Sequence, residues 1–130
     1  MSVSLPNLLA VAAGGALGSV GRYLTMSLVA GWFGTGFPIS TLSVNVLGSF
    51  IMGVLVETWA VWWSADMLWR SLLAVGVLGG FTTFSTFSLD MVVLLERGES
   101  GAAALYAGAS VILSVLGLFA GLLLIRSAMA

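Results

Sequence analysis

GGFTTFSTFS, residues Gly79 to Ser88, lies in the middle of a long apolar run in which a continuous helix would be expected. Each of its two leading glycines costs a helix about 1 kcal/mol relative to alanine, and the β-branched threonines add no helical preference. The stretch therefore predicts a helix that is broken around Gly79 to Thr82. Its meaning depends on what surrounds it.

Everything around the break reads as membrane. The chain has 130 residues, 60% of them hydrophobic and only 7% charged, far from the composition of a soluble domain. Its few charges and turn-formers divide it into four apolar stretches: Leu5 to Val29, Ile39 to Trp63, Met67 to Leu95 and Ala102 to Ile125. A bilayer core of about 30 Å requires about 20 helical residues, so each stretch is long enough to span with some tilt. The expected fold is an all-α membrane protein, a single transmembrane domain over residues 1–130 with a broken third helix. The first stretch has no basic leading segment and is too long for the apolar core of a secretion signal, so it counts as a helix. Cysteine and histidine are absent, which excludes disulfides, thiolate metal sites and the usual neutral-pH proton carrier.

The links are Ala30 to Pro38, Ser64 to Asp66 and Glu96 to Gly101. Trp59, Trp62, Trp63 and Trp69 gather at one end of the second and third spans, as in an interfacial aromatic belt. Threading four spans puts Arg70 and Arg126 on the side of the N-terminus, while Arg97 lies on the opposite side and Arg22 lies toward it. Orientation follows the lysine and arginine excess in short loops, and here neither side has one. A chain with no orientation bias can insert both ways, and oppositely facing copies can pair about an axis in the membrane plane; four arginines can also balance by chance.

The helices carry faces. Thr41, Asn45, Gly48 and Met52 recur on one side of the second span with Ser49 beside them, and Tyr106, Ser110, Ser114, Gly117 and Gly121 do so on the fourth. Small residues let helices approach closely in lipid and hydroxyls bond between them, so packing is the default role for either stripe alone. Asn45 asks for more, because a primary amide in hydrocarbon needs partners for two donors and an acceptor and can turn its NH₂ toward an anion. Arg22, one turn past Gly18, either snorkels to the headgroups or places a fixed positive charge in a water-filled vestibule.

At the break, Phe81, Phe84 and Phe87 share one side, with the hydroxyls of Thr82, Thr83, Ser85 and Thr86 nearby. Backbone groups freed at mid-membrane are tolerated only where they are buried in protein or line a cavity. Freed carbonyls suit a small hard cation; helix N-termini, hydroxyls and the positive edges of aromatic rings suit an anion. A kinked helix packed on its neighbours, with phenylalanines as filler, accounts for the same residues.

The chain resembles the small bacterial fluoride channels of the Fluc (also called CrcB) family along essentially its whole length. The matching elements are GGALGSVGRY at Gly14 to Tyr23, TLSVNVLGSFIMG at Thr41 to Gly53, GGFTTFSTFS itself, and the stripe of Tyr106, Ser110 and Ser114. The resemblance implies an antiparallel (dual-topology) homodimer of four-helix subunits in the bacterial plasma (inner) membrane, passing fluoride through two pores at the subunit interface. Carried over by position, Phe84 and Phe87 are the pore phenylalanines and Asn45 donates to the ion. Ser110, Ser114 and Tyr106 lie along the pore, and Thr83, Ser85 and Thr86 add hydroxyl contacts. The carbonyls of Gly79 and Thr82 from both subunits would hold a structural sodium ion, Na⁺, at the dimer centre, and Arg22 would stand near the pore entrance.

The chemistry agrees with that expectation. Fluoride is strongly hydrated, so a selective path replaces water with several weak donors that admit the ion and still release it. A dual-topology multidrug exporter of similar size also uses four helices in antiparallel pairs, but needs a titratable group deep in the membrane. Glu57, Asp90 and Glu96 all lie toward the ends of their spans. A structural or holin-like protein explains the small-residue faces but not the double glycine with its hydroxyl cluster. No nucleophile, base and metal-ligand set converges, so an enzyme is not expected.

Overall fold

A computed structural model describes residues 3–129. The described chain is all helical, with four helices long and apolar enough to cross a membrane: Leu5–Phe33, Ile39–Val61, Met67–Glu96 and Ser100–Met129. The first, second and fourth are the regular helices α1 (Leu5–Phe33), α2 (Ile39–Val61) and α6 (Ser100–Met129). Between α2 and α6 the winding changes several times. A short α3 (Met67–Arg70) runs into a π-helical segment, Ser71–Leu78, followed by one turn, α4 (Gly79–Phe81), and then by α5 (Phe84–Glu96).

Local chemistry explains the helix starts. The Ser4 side chain accepts from the Asn7 amide ahead of α1, Pro6 sits in the first turn, where its missing N–H is not needed, and Asp66 caps Trp69 at the start of α3. α1 continues through Trp32 and Phe33, so the first link is shorter than the glycines suggested, and it ends at Gly34 with a positive φ of 79°. α2 stops at Val61, which leaves Trp62 and Trp63 outside it. The ring of Trp63 meets Trp69 edge-on at 5.7 Å, and the Arg70 guanidinium lies 5.1 Å from the centre of the Trp59 ring.

Close backbone approach organises the packing. α1 lies along the π-helical segment, and α2 lies along α6. A Cβ on Gly14 would strike the Leu72 carbonyl, and one on Gly18 the Val77 carbonyl. Gly53 and Gly121 do the same between α2 and α6, meeting the carbonyls of Leu118 and Phe50. Lipid tails provide no hydrophobic drive between helices, so contacts of this density, rather than burial from water, hold the bundle together. Glu57 near the end of α2 adds a two-pronged ion pair to Arg126 of α6, with nitrogen to oxygen distances of 3.0 and 3.2 Å.

The interruption falls at the far end of the expected stretch, Gly79 to Thr82, and one residue past it. Gly79 keeps helical dihedrals (φ −61°, ψ −37°), and the residues with extended dihedrals are Thr82 (φ −88°, ψ 158°) and Thr83 (φ −152°, ψ 117°). The second glycine serves packing instead: a Cβ on Gly80 would press on the Gly15 carbonyl at 2.8 Å.

Candidate functional site

Two extended residues cannot continue a helical ladder, and their polar groups need other partners at membrane depth. The Thr82 amide and hydroxyl both donate to the Leu78 carbonyl, each at 3.0 Å. The Thr83 amide, which a continuous helix would give to the Gly79 carbonyl, donates instead to Asn45 Oδ1 at 2.7 Å. Asn45 Nδ2 in turn donates to the Thr83 carbonyl at 3.0 Å. The amide and the carbonyl of one residue, which belong to successive peptide groups, are thus both held by one side-chain amide. The arrangement leaves the Gly79 carbonyl without its helical donor and leaves Asn45 one of its two N–H donors to spare.

Thr83 also begins α5. Its hydroxyl accepts from the Thr86 amide at 3.2 Å, donates to the Thr86 hydroxyl at 3.1 Å and shares a hydrogen with Ser85 at 3.3 Å. The amides of Phe84 and Ser85, at the positively polarised end of a 13-residue helix, have no intrahelical acceptor by their position in the first turn.

A cavity of about 460 Å³ opens beside this corner. It gathers Asn45, Gly79, Thr82, Thr83, Phe84, Phe87, Ser110 and Ser114 from the second, third and fourth spans. Gly48, Ser49 and Met52 of the α2 stripe join them, so that stripe faces the cavity rather than serving packing alone. The α6 stripe divides: Ser110 and Ser114 reach the cavity, whereas a Cβ on Gly117 or Gly121 would press on the α2 backbone. Ser110 Oγ is buried and has no hydrogen-bond partner among the described residues. None of the lining side chains is charged. Phe84 lies 77% exposed on one edge, its ring centre 5.3 Å from that of Phe87.

Other expected site residues lie outside this cavity. Tyr106 is fully buried one ring further on, 5.1 Å from Phe87, and its hydroxyl donates to Asp90 at 2.8 Å. Arg22 and Thr86 line a second cavity of about 450 Å³ with Ser19, Ser27 and Ser40, and Arg22 Nε is buried without a partner among the described residues. Ser85 reaches neither cavity and is exposed. Sequence reasoning missed Asp90 as the acceptor for Tyr106. The only signal was its spacing of three residues from Phe87, which puts both on one helical face.

Residues 9–122 match the family model described as CrcB-like protein, Camphor Resistance (CrcB). The chain belongs to the CrcB-like family. This CrcB-like chain is 59% identical over 123 residues to a protein of Rhodospirillum centenum, an alignment covering 95% of this chain and 98% of that one. It is 54% identical over 121 residues to a protein of a Chelativorans species, covering 93% and 97% of the two chains. A protein of Nitrobacter winogradskyi is 52% identical over 119 residues, covering 92% and 94%. Each of these relatives is named a fluoride-specific ion channel FluC. With four membrane-spanning helices and bacterial relatives of matching length, the CrcB-like chain is a multi-pass protein of the bacterial plasma membrane.

Proposed function

We propose that the chain is a fluoride-selective channel that lets the anion leave the cell passively, with two pores at the interface of an antiparallel homodimer. The observation that carries this reading is the lining of the mid-span cavity: an asparagine amide with a donor to spare, an unpartnered serine hydroxyl and two phenylalanine rings, with no charged side chain. Such a set offers an anion several weak donors, and no fixed cation that would hold it too long. The same lining disfavours the multidrug exporter, which needs a titratable group at this depth. Glu57 lies outside it, paired with Arg126.

Fluoride would meet the Asn45 amide, the hydroxyls of Ser110 and Ser114, and the ring edges of Phe84 and Phe87, with the linked hydroxyls of Thr83, Ser85 and Thr86 at the edge of the path. Arg22, in its own cavity with Thr86, would draw the anion toward the path. A second copy supports this arrangement because one chain leaves the cavity open along the edge where Phe84 is exposed. Polar backbone at membrane depth has to be covered by protein or line water. The even arginine distribution makes an oppositely oriented copy available for that role.

A central sodium ion fits the same corner. Among the described residues no cluster of histidine, cysteine, aspartate or glutamate could hold a metal, so donors would come from the main chain. The Gly79 carbonyl lacks its helical donor, and the Thr82 carbonyl belongs to an extended residue at the same edge; both are oxygen ligands of the kind that suits sodium. Two chains would supply two pairs. The ion would neutralise the carbonyl dipoles that face each other where the copies meet.

Flux from liposomes tests the reading. Liposomes carrying the purified protein release trapped fluoride and retain chloride; fluoride that stays inside, or chloride that leaves equally fast, overturns it.

A further inference from the structure

Phe84, Phe87 and Tyr106 form a chain of rings running away from the mid-span cavity, and a fourth ring ends it. Phe37 meets Tyr106 edge-on, with ring centres 5.7 Å apart and planes at 82°. It belongs to none of the four spans. It lies in the link between α1 and α2, preceded by Gly34, Thr35 and Gly36, a stretch with little side-chain packing of its own.

Two features fix Phe37 despite that setting. The Ile39 amide donates to the Phe37 carbonyl at 2.7 Å across Pro38, whose dihedrals (φ −78°, ψ 61°) are those of an inverse γ-turn. The ring itself packs against the buried cluster of Leu94, Ala103 and Tyr106. Tyr106 is held at its hydroxyl by Asp90, so rotation about its own Cβ–Cγ axis is the motion left to its ring, and Phe37 packs perpendicular to it. The next ring inward is Phe87, tilted 43° to Tyr106.

We propose that Phe37 is a positioning residue for conduction: its perpendicular contact holds the Tyr106 ring, and that ring sets the orientation of Phe87 in the cavity. The proposal rests on the channel reading above. An apolar filler could be replaced by leucine, which has similar bulk. An edge-to-face contact could not, because it depends on the ring quadrupole and on planar shape.

Phe37→Leu, Phe37→Tyr and the parent protein are compared for fluoride flux per dimer and for the fluorine resonance of Tyr106 after labelling with 3-fluorotyrosine. The chain has two tyrosines, so the signal is assigned by its loss in Tyr106→Phe. Phe37→Leu lowers flux about fivefold or more, the rate equivalent of one aromatic contact, and shifts the Tyr106 resonance. Phe37→Tyr retains both, and all variants elute as the parent does. If Phe37→Leu fails to assemble, Phe37→Met provides the same comparison. Flux equal to the parent's, or flux lost with the Tyr106 resonance unmoved, overturns the proposal. A parent that traps fluoride overturns the channel reading and this one with it.

Discussion

Asn45 holds the backbone of Thr83 on both sides of its Cα, accepting from its N–H at 2.7 Å and donating to its carbonyl at 3.0 Å across 38 residues of sequence. Asn45→Ala leaves two backbone groups without partners in a low-dielectric setting, at a cost of about 2 to 4 kcal/mol. A lower thermal midpoint in detergent and loss of fluoride flux are the expected results. An unchanged midpoint would mean that the corner at Thr82 and Thr83 persists without its clamp.

Gly18→Ala drives a methyl group into the Val77 carbonyl, a backbone atom that cannot swing aside. Overpacking of this kind costs about 1 to 3 kcal/mol. Gly31→Ala, near the end of the same helix, meets nothing within 4 Å and gains helical preference. Size-exclusion profiles and thermal unfolding of the pair separate the two outcomes, and equal stability would remove close approach from the account of α1 packing.

Phe84→Ile and Phe87→Ile keep apolar bulk but remove the ring edges from the cavity. On the proposed reading each lowers fluoride flux about tenfold while leaving the proposed dimer intact, since the ring contacts assigned to the ion are replaced by nothing polar. Flux at the parental level in both would take the rings out of the proposed path.

Replacing sodium with a bulky organic cation throughout purification and crystallisation removes the density expected between the Gly79 and Thr82 carbonyls of the two copies. Density that survives the exchange would require another occupant.

Much of this was legible in residue order. Four apolar stretches cut by sparse charges gave four spans, because the bilayer sets a minimum length that composition alone can satisfy. Asn45, Gly48, Ser49 and Met52 could be grouped by helical spacing, and they line one cavity with Phe84, Phe87, Ser110 and Ser114. The exact seat of the interruption could not be read. Local propensity pointed to Gly79 to Thr82, yet Gly80, packed on the Gly15 carbonyl, stays helical. The departure falls at Thr82 and Thr83 because Asn45 offers Thr83 better partners than the helix does. The contacts of Tyr106 with Asp90 and Phe37 are likewise tertiary, between residues with no shared period.

The winding of Ser71–Leu78 limits how this chain can change over time. A π-helical segment carries more residues per turn than an α-helix does, and here its carbonyls lie directly under Gly14 and Gly18. Deleting one residue there removes roughly a quarter turn of winding before Leu78. Phe84 and Thr83 would then face away from Asn45. Point substitutions in this segment are open to drift, but its length is locked.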